Sequence, residues 1–181
     1  MESTSLKVRE IETKDIHLIA DYWLNADADF LIGMGVDLKK VPSRDSLIKM
    51  LSKQVNTQLE KKMSYALIWE FNNQQIGHTN INNIVFGDHA TMHLHLWNTA
   101  NRQKGIGTKL VKKSLPFYFE NFQLKTLFCE PYALNPAPNK TLIKVGFEFD
   151  KKYTTIPGSL NFEQEVNRWK LSKLNYKKFY F

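Results

Sequence analysis

Cysteine is nearly absent. Cys129 is the only one in 181 residues, so no internal disulfide can form, and a reducing, cytoplasmic setting is expected. No apolar run approaches the length that spans a bilayer, and Met1 to Arg9 lacks a signal-peptide core, so no membrane partner is expected. Internal repeats and low-complexity linkers are missing too, which leaves one domain over residues 1–181 as the expectation. The net charge is +7, yet no dense basic block accounts for it. Its basic residues gather no further than into pairs such as Lys112-Lys113, Lys151-Lys152 and Lys177-Lys178, without a zinc-finger or RNA-binding signature. The scattered lysines read as a solvated face, and nucleic acid is not an expected partner. What the chain does have is 43% hydrophobic and 13% aromatic residues, enough for a packed core.

Hydrophobic spacing divides the chain into elements. Leu6 to Glu12 alternates weakly as a strand. Ile16, Ile19, Ala20, Trp23 and Leu24 recur at helical spacing over Asp15 to Leu24. Asn25 to Val41, broken by Gly33 and Gly35, reads as irregular. Pro42-Ser43 marks a helix start, and Leu47, Ile48, Leu51, Val55 and Leu59 mark its stripe. Tyr65 to Phe71, Gln75 to Phe86 and a segment ending at Trp97 read as three antiparallel strands, the last two joined at Gly87-Asp88. A helix follows to about Asn121, which Pro116 is expected to kink or split. Then come a strand over Thr126 to Tyr132, a short helix over Asn135 to Val145 closed by Gly146, and a last hairpin over Phe147 to Ile156 and Phe162 to Leu171. The order β-αα-βββ-α-β-α-ββ specifies an α+β class: a mixed, mainly antiparallel central sheet with helices on both faces.

The strand-to-helix turn Arg102-Gln103-Lys104-Gly105-Ile106-Gly107 bears the strongest chemical signal. Two glycines there bare backbone N–H groups at a helix N-terminus, which forms a cradle for phosphate. A nucleotide-hydrolysing P-loop requires G-x-x-x-x-G-K-[ST], and that spacing is missing. A dinucleotide fingerprint requires a third glycine where Leu110 stands, and a parallel βαβ unit where antiparallel strands precede the turn.

R-x-x-G-x-G after a third antiparallel strand resembles the acyl-CoA motif of the GNAT superfamily of N-acetyltransferases. A second block supports the resemblance: Asn135-Pro136-Ala137-Pro138-Asn139, then Leu142-Ile143-Lys144-Val145-Gly146-Phe147. The resemblance covers nearly the whole chain. It implies a GNAT-like acyl-CoA N-acyltransferase fold with acetyl-CoA as cosubstrate. It also implies that the fourth and fifth strands splay, with the pantetheine arm pairing along His95, Leu96 and Trp97. The pyrophosphate is then expected on the N–H groups between Gln103 and Thr108, and the cofactor-binding set runs through Arg102, Gln103, Lys104, Gly105, Ile106, Gly107 and Thr108. Asn135, Asn139 and Lys140 complete that set. The tyrosine that serves the family as general acid falls at Leu142, so the thiolate must be protonated from elsewhere.

Amine acetylation needs a neutral nucleophile, whereas an alkylammonium is mostly protonated near pH 7. If Gly87-Asp88 centres the hairpin, residues whose numbers sum to 175 face each other. Asn82 then faces His93, Asn80 faces His95 and His78 faces Trp97, all on one side of the sheet. Met92, Leu94, Leu96, Ile81 and Val85 form the apolar other side. His93 and Glu130 are the candidate bases. The resemblance adds that histidines on this strand carry protons in the arylalkylamine branch, where His93 matches one position and Thr91 stands at its companion. The acceptor, an amine-bearing small molecule or protein, is expected beside Asp27 to Val41. There Asp29 and Asp37 would attract a cation, with Tyr22 and His78 completing the substrate-binding set. Two other functions fit the same residues: a three-histidine zinc site at His78, His93 and His95, or a catalytically inactive acyl-CoA-binding module. A monomer or a homodimer is expected.

Overall fold

A computed structural model describes residues 5–97 and 105–180. The chain opens with β1 (Leu6–Glu10), followed by α1 (Ile16–Asn25), which buries Ile16, Ile19, Ala20 and Tyr22. The stretch expected to be irregular holds α2 (Ala28–Gly33) and a 3-10 turn at Leu38–Lys40. Both are too short to show a helical period, and each is set by its cap: Asp27 accepts from Phe30 N–H and Asp37 from Lys39 N–H. α3 (Arg44–Val55) starts where Ser43 accepts the N–H of Ser46, and it buries Leu47.

β2 (Ser64–Phe71), β3 (Gln74–Val85) and β4 (His89–Leu96) form an antiparallel meander. α4 (Ile106–Asn121) runs through Pro116 as one helix. Leu115, Tyr118 and Phe119 around the proline are buried, and packing of that face outweighs one lost backbone hydrogen bond. β5 (Thr126–Cys129) stops three residues short of the expected end, just before Glu130-Pro131, because a proline has no N–H for a ladder. α5 (Pro136–Val145) is capped by Asn135 and closed by left-handed Gly146 (φ +96°). β6 (Glu148–Thr155) and β7 (Gln164–Ser172) form the last hairpin. α6 (Lys173–Tyr180) has no counterpart in the sequence reading. It buries Tyr176 alone, so no apolar stripe announces it, and Tyr176 stacks on Phe119 at 4.5 Å.

Among the described residues the seven strands form one sheet, ordered β1-β2-β3-β4-β5-β7-β6. All neighbours are antiparallel except β4 and β5. That parallel ladder ends at Met92–Cys129, whereas β4 continues to Leu96. Among the described residues, its last four therefore lack a ladder partner on the β5 side.

The β3–β4 register differs from expectation in a specific way. Val85 pairs with His89 across a three-residue turn, which moves the register by one and alone would exchange the faces. A bulge between Asn82 and Val85, with Asn83 at φ +48°, moves it by one more and restores them. His78 thus opposes His95, Asn80 opposes His93 and Asn82 opposes Thr91. The polar residues still share one face. Gly77 lets the strands close here, since a Cβ on it would lie 2.5 Å from the carbonyl oxygen of His95.

The other face carries the apolar core: Leu67, Trp69, Ile81, Met92, Leu127 and Leu171 against Leu110, Leu115, Tyr118 and Phe119 of α4. Val85, counted on that face, is exposed. α1 and α3 pack on each other over the polar face.

Candidate active site

A cavity of about 380 Å³ lies between that polar face and the two helices above it. Ala66, His78, Asn80, Asn82, His93 and His95 form its floor, while Ile19 and Trp23 of α1 and Leu47, Met50 and Leu51 of α3 cover it. Glu130, Pro131, Tyr132 and Asn135 close one end. Met34 and Val36 reach over from the strap after α2. That strap is fastened to the β6–β7 loop and the start of β7. Asp37 N–H donates to Leu160 O at 2.8 Å, and the side-chain amides of Asn161 and Gln164 both donate to Gly35 O at 2.8 Å.

The three histidines of the floor are neutral at physiological pH. Burial pushes His78 down to about 3 and His93 down to about 4, with the proximity of His93 adding to the effect at His78. His95 is held well below 6.5 by burial first, then by His78 and His93. Their surroundings separate them. The indole N–H of Trp97 donates to His78 Nδ1 at 2.7 Å. His78 stacks on His95 with ring centroids 4.5 Å apart, and His95 Nδ1 lies 3.3 Å from the Tyr22 hydroxyl. His93 differs: its Nε2 is buried without a hydrogen-bond partner. Four buried side-chain atoms among the described residues lack a partner, and those of Asn82, His93 and Gln164 belong to residues lining the cavity. An unpartnered buried polar group costs about 1–3 kcal/mol, so this concentration marks where a ligand's polar groups would be satisfied.

Glu130 stands in different company. Its side chain is 13% exposed, accepts a hydrogen bond from the Tyr153 hydroxyl at 2.5 Å, and lies 3.6 Å from Arg168 Nε. Arg168 in turn covers the Phe128 ring. The carboxylate is thus anchored and its charge compensated, through residues of β6 and β7 that no local motif connects to it.

The two ends of the acyl-CoA motif are placed as follows. Arg102, Gln103 and Lys104 lie outside the described residues. Gly105 caps α4 in the left-handed region (φ +70°). Gly107 has ordinary backbone angles, and a Cβ on it would meet nothing within 4 Å. Neither strain nor packing within the described chain requires glycine there, so the space it leaves suits a ligand. Buried Ile106 anchors this turn to the core, and Thr108 is partly buried. Leu96 packs against the core, while His95 lines the cavity. Asn135 lines the cavity as well, and its Oδ1 accepts from Ala137 N–H at 3.4 Å.

Other expected contributors sit elsewhere. Asn139 is used up internally: its amide donates to Tyr132 O and Asn135 O, and its Oδ1 accepts from Asn167 and Trp169. It ties α5 to β7 rather than reaching outward. Lys140 is exposed on α5 and is not part of the cavity wall. Asp29 is exposed in the first turn of α2, and Asp37 caps the turn that follows; neither lines the cavity. Tyr22 stands behind the histidines, while His78 lines the cavity. Leu142 is fully buried in the apolar core, so a donor at that position would not face the cavity in this arrangement. Among the described residues no three His, Cys, Asp or Glu side chains are arranged to hold a metal ion. Tyr132, three residues beyond β5, also lines the cavity; no motif or spacing in the sequence marks it, and only the turn after Pro131 brings it there.

Comparison with known proteins agrees with this architecture. Residues 5–148 match the family profile described as an acetyltransferase (GNAT) domain. No curated protein matches the chain. Among solved structures, spermidine N-acetyltransferase from Vibrio cholerae in complex with CoA and spermine superposes with a TM-score of 0.77 at 16% identity, covering 95% of this chain and 98% of that one. RimL, a ribosomal L7/L12 alpha-N-protein acetyltransferase in complex with coenzyme A, gives 0.75 at 15% identity, covering 94% and 95%.

Proposed function

Because the chain belongs to the acetyltransferase (GNAT) family, we propose that it moves the acetyl group of acetyl-CoA to a primary amine by direct attack in a ternary complex. The observation that carries this reading is the opening between β4 and β5, where β4 runs past its ladder beside a cavity whose floor includes an unpartnered, neutral His93. Acetyl-CoA supplies the acyl group as a thioester. Along His95 to Trp97, the backbone groups that turn away from β3 offer strand-like pairing to its pantetheine amides, the Trp97 N–H already donating to Ile76 O, and Asn135 at the cavity wall offers a further contact. The bare N–H groups at the start of α4, around Gly105 and Gly107, receive the pyrophosphate.

His93 then handles the proton. An amine nitrogen becomes acidic as its new bond to carbon forms, so an acceptor need not be strongly basic, but it must be unprotonated and close. Burial keeps His93 in that form throughout the neutral range. Glu130, already held by Tyr153 and Arg168, serves better to position the end of β5 and to balance charge there. A backbone N–H of the unpaired end of β4 faces the carbonyl as negative charge develops. The departing thiolate is protonated by water or by Tyr132.

The deciding experiment measures thiol release from acetyl-CoA across a panel of primary amines, with CoA binding followed separately by calorimetry. Turnover with at least one amine, and a pH profile without a His93 inflection near 6.5, is the expected result. CoA binding without turnover on any amine would overturn the reading in favour of an inactive acyl-CoA-binding module.

A further inference from the structure

Resting on the acetyltransfer reading, we propose that the acceptor is a small primary monoamine with an apolar body, and that the cavity discriminates against amines carrying a second positive charge. Its chemistry is one-sided. Among the described residues Glu130 is the only carboxylate lining it, and Arg168 and the Tyr153 hydroxyl already engage that group. The acidic residues of the adjoining segment are occupied or turned away. Asp27 and Asp37 cap helical turns, Asp21 pairs with Arg44, and Asp29 is exposed outside the cavity wall. The cover is apolar, formed by Ile19, Trp23, Leu47, Met50 and Leu51.

A monoamine entering this space gives up only the charge it must lose to attack. An oligoamine would also have to bring in its second ammonium, for which the cavity offers neutral acceptors such as Asn82 Oδ1 and Gln164 Oε1 but no free carboxylate among the described lining residues to balance the charge. The volume of about 380 Å³, part of which the acetyl group and the end of the pantetheine arm occupy, limits the body to about one or two rings, since pockets for larger ligands extend to about 1,000 Å³.

The test compares kcat/KM, by thiol release from acetyl-CoA, for 2-phenylethylamine and cyclohexylmethylamine against putrescine, spermidine and a short peptide with a free N-terminus. The apolar monoamines are expected to exceed the diamine and triamine by about tenfold or more, the scale on which pocket contacts discriminate. Met50→Glu places a carboxylate at a cavity-lining position that is 51% exposed and so tolerates charge. It should narrow or invert the ratio by raising the value for spermidine. Preference of the unaltered protein for spermidine, putrescine or the peptide overturns this proposal while leaving acetyl transfer standing. An unchanged ratio in a folded Met50→Glu variant also overturns it. Bound acetyl-CoA with no amine acetylated overturns both.

Discussion

The two faces of the β3–β4 ribbon come from alternate residues of the same strands and have opposite characters. On one, Ile81 and Met92 are fully buried among α4 side chains, with polar groups such as Thr79 matched internally: Thr79 donates to His93 O and accepts from the Tyr118 hydroxyl. On the other, three histidines and two asparagines face a cavity, and both Asn82 and His93 present buried atoms without partners. The first face is complete without a ligand. The second is stable only because the first, and the helices above, hold it in place, and local incompleteness at constant fold is the physical mark of a site rather than a core.

Exchanging groups on each face separates these roles. His93→Gln should lower kcat by about 10²- to 10⁴-fold, the usual range for losing a proton acceptor, with CoA affinity and melting temperature little changed; near-normal kcat in steady-state assays would remove His93 from the mechanism. Met92→Ala, one residue away on the apolar face, should behave in reverse. It is expected to cost about 2–5 kcal/mol in denaturant unfolding while leaving kcat of the folded fraction close to normal. Gly107→Leu should weaken CoA binding by about tenfold in calorimetry, because the side chain enters space reserved for phosphate, a loss of about 1.4 kcal/mol. The same change should raise stability by a few tenths to about 1 kcal/mol, since glycine is a poor helix former; an unaltered CoA affinity would argue that this turn is only a turn.

A further effect is in the pH dependence of stability. Unfolded, His78 and His93 take up protons near pH 6.5; folded, they do so only near 3 and 4. Their neutral burial is therefore fully tolerated above pH 6.5 and becomes destabilising as the pH falls toward 4, with a slope of up to about 1.4 kcal/mol per pH unit for each histidine. His93→Gln should flatten the acid limb of stability measured by urea unfolding between pH 7 and pH 5, and an unchanged limb would contradict the burial argument.

Much of this was legible in the sequence because it is local or periodic. Alternation put the histidines and asparagines on one face. Asn135-Pro136 and Gly146 marked both ends of α5 through their backbone requirements. The face assignment survived a wrong register only because two one-residue shifts, one in the turn and one in the bulge, cancel in parity. What stayed hidden depends on distant partners. The anchoring of Glu130 involves Tyr153 and Arg168 on other strands, and Asn139 is occupied by Asn167 and Trp169 of β7. α2 and α6 are too short for periodicity, and the caps formed by Asp27 and Asp37 depend on local turns that no apolar spacing announces.

The unpaired end of β4 carries one last consequence. A strand edge open to solvent is an invitation to aggregate, and proteins usually blunt it with charge, proline or brevity. Here the open stretch lies inside the sheet, between β3 and β5 and under α1 and α3, and is not one of the sheet's outer edges. Backbone groups without a ladder partner at that spot are set apart from the outer edges where strand-to-strand aggregation begins, so the fold can keep them open at little risk of self-association.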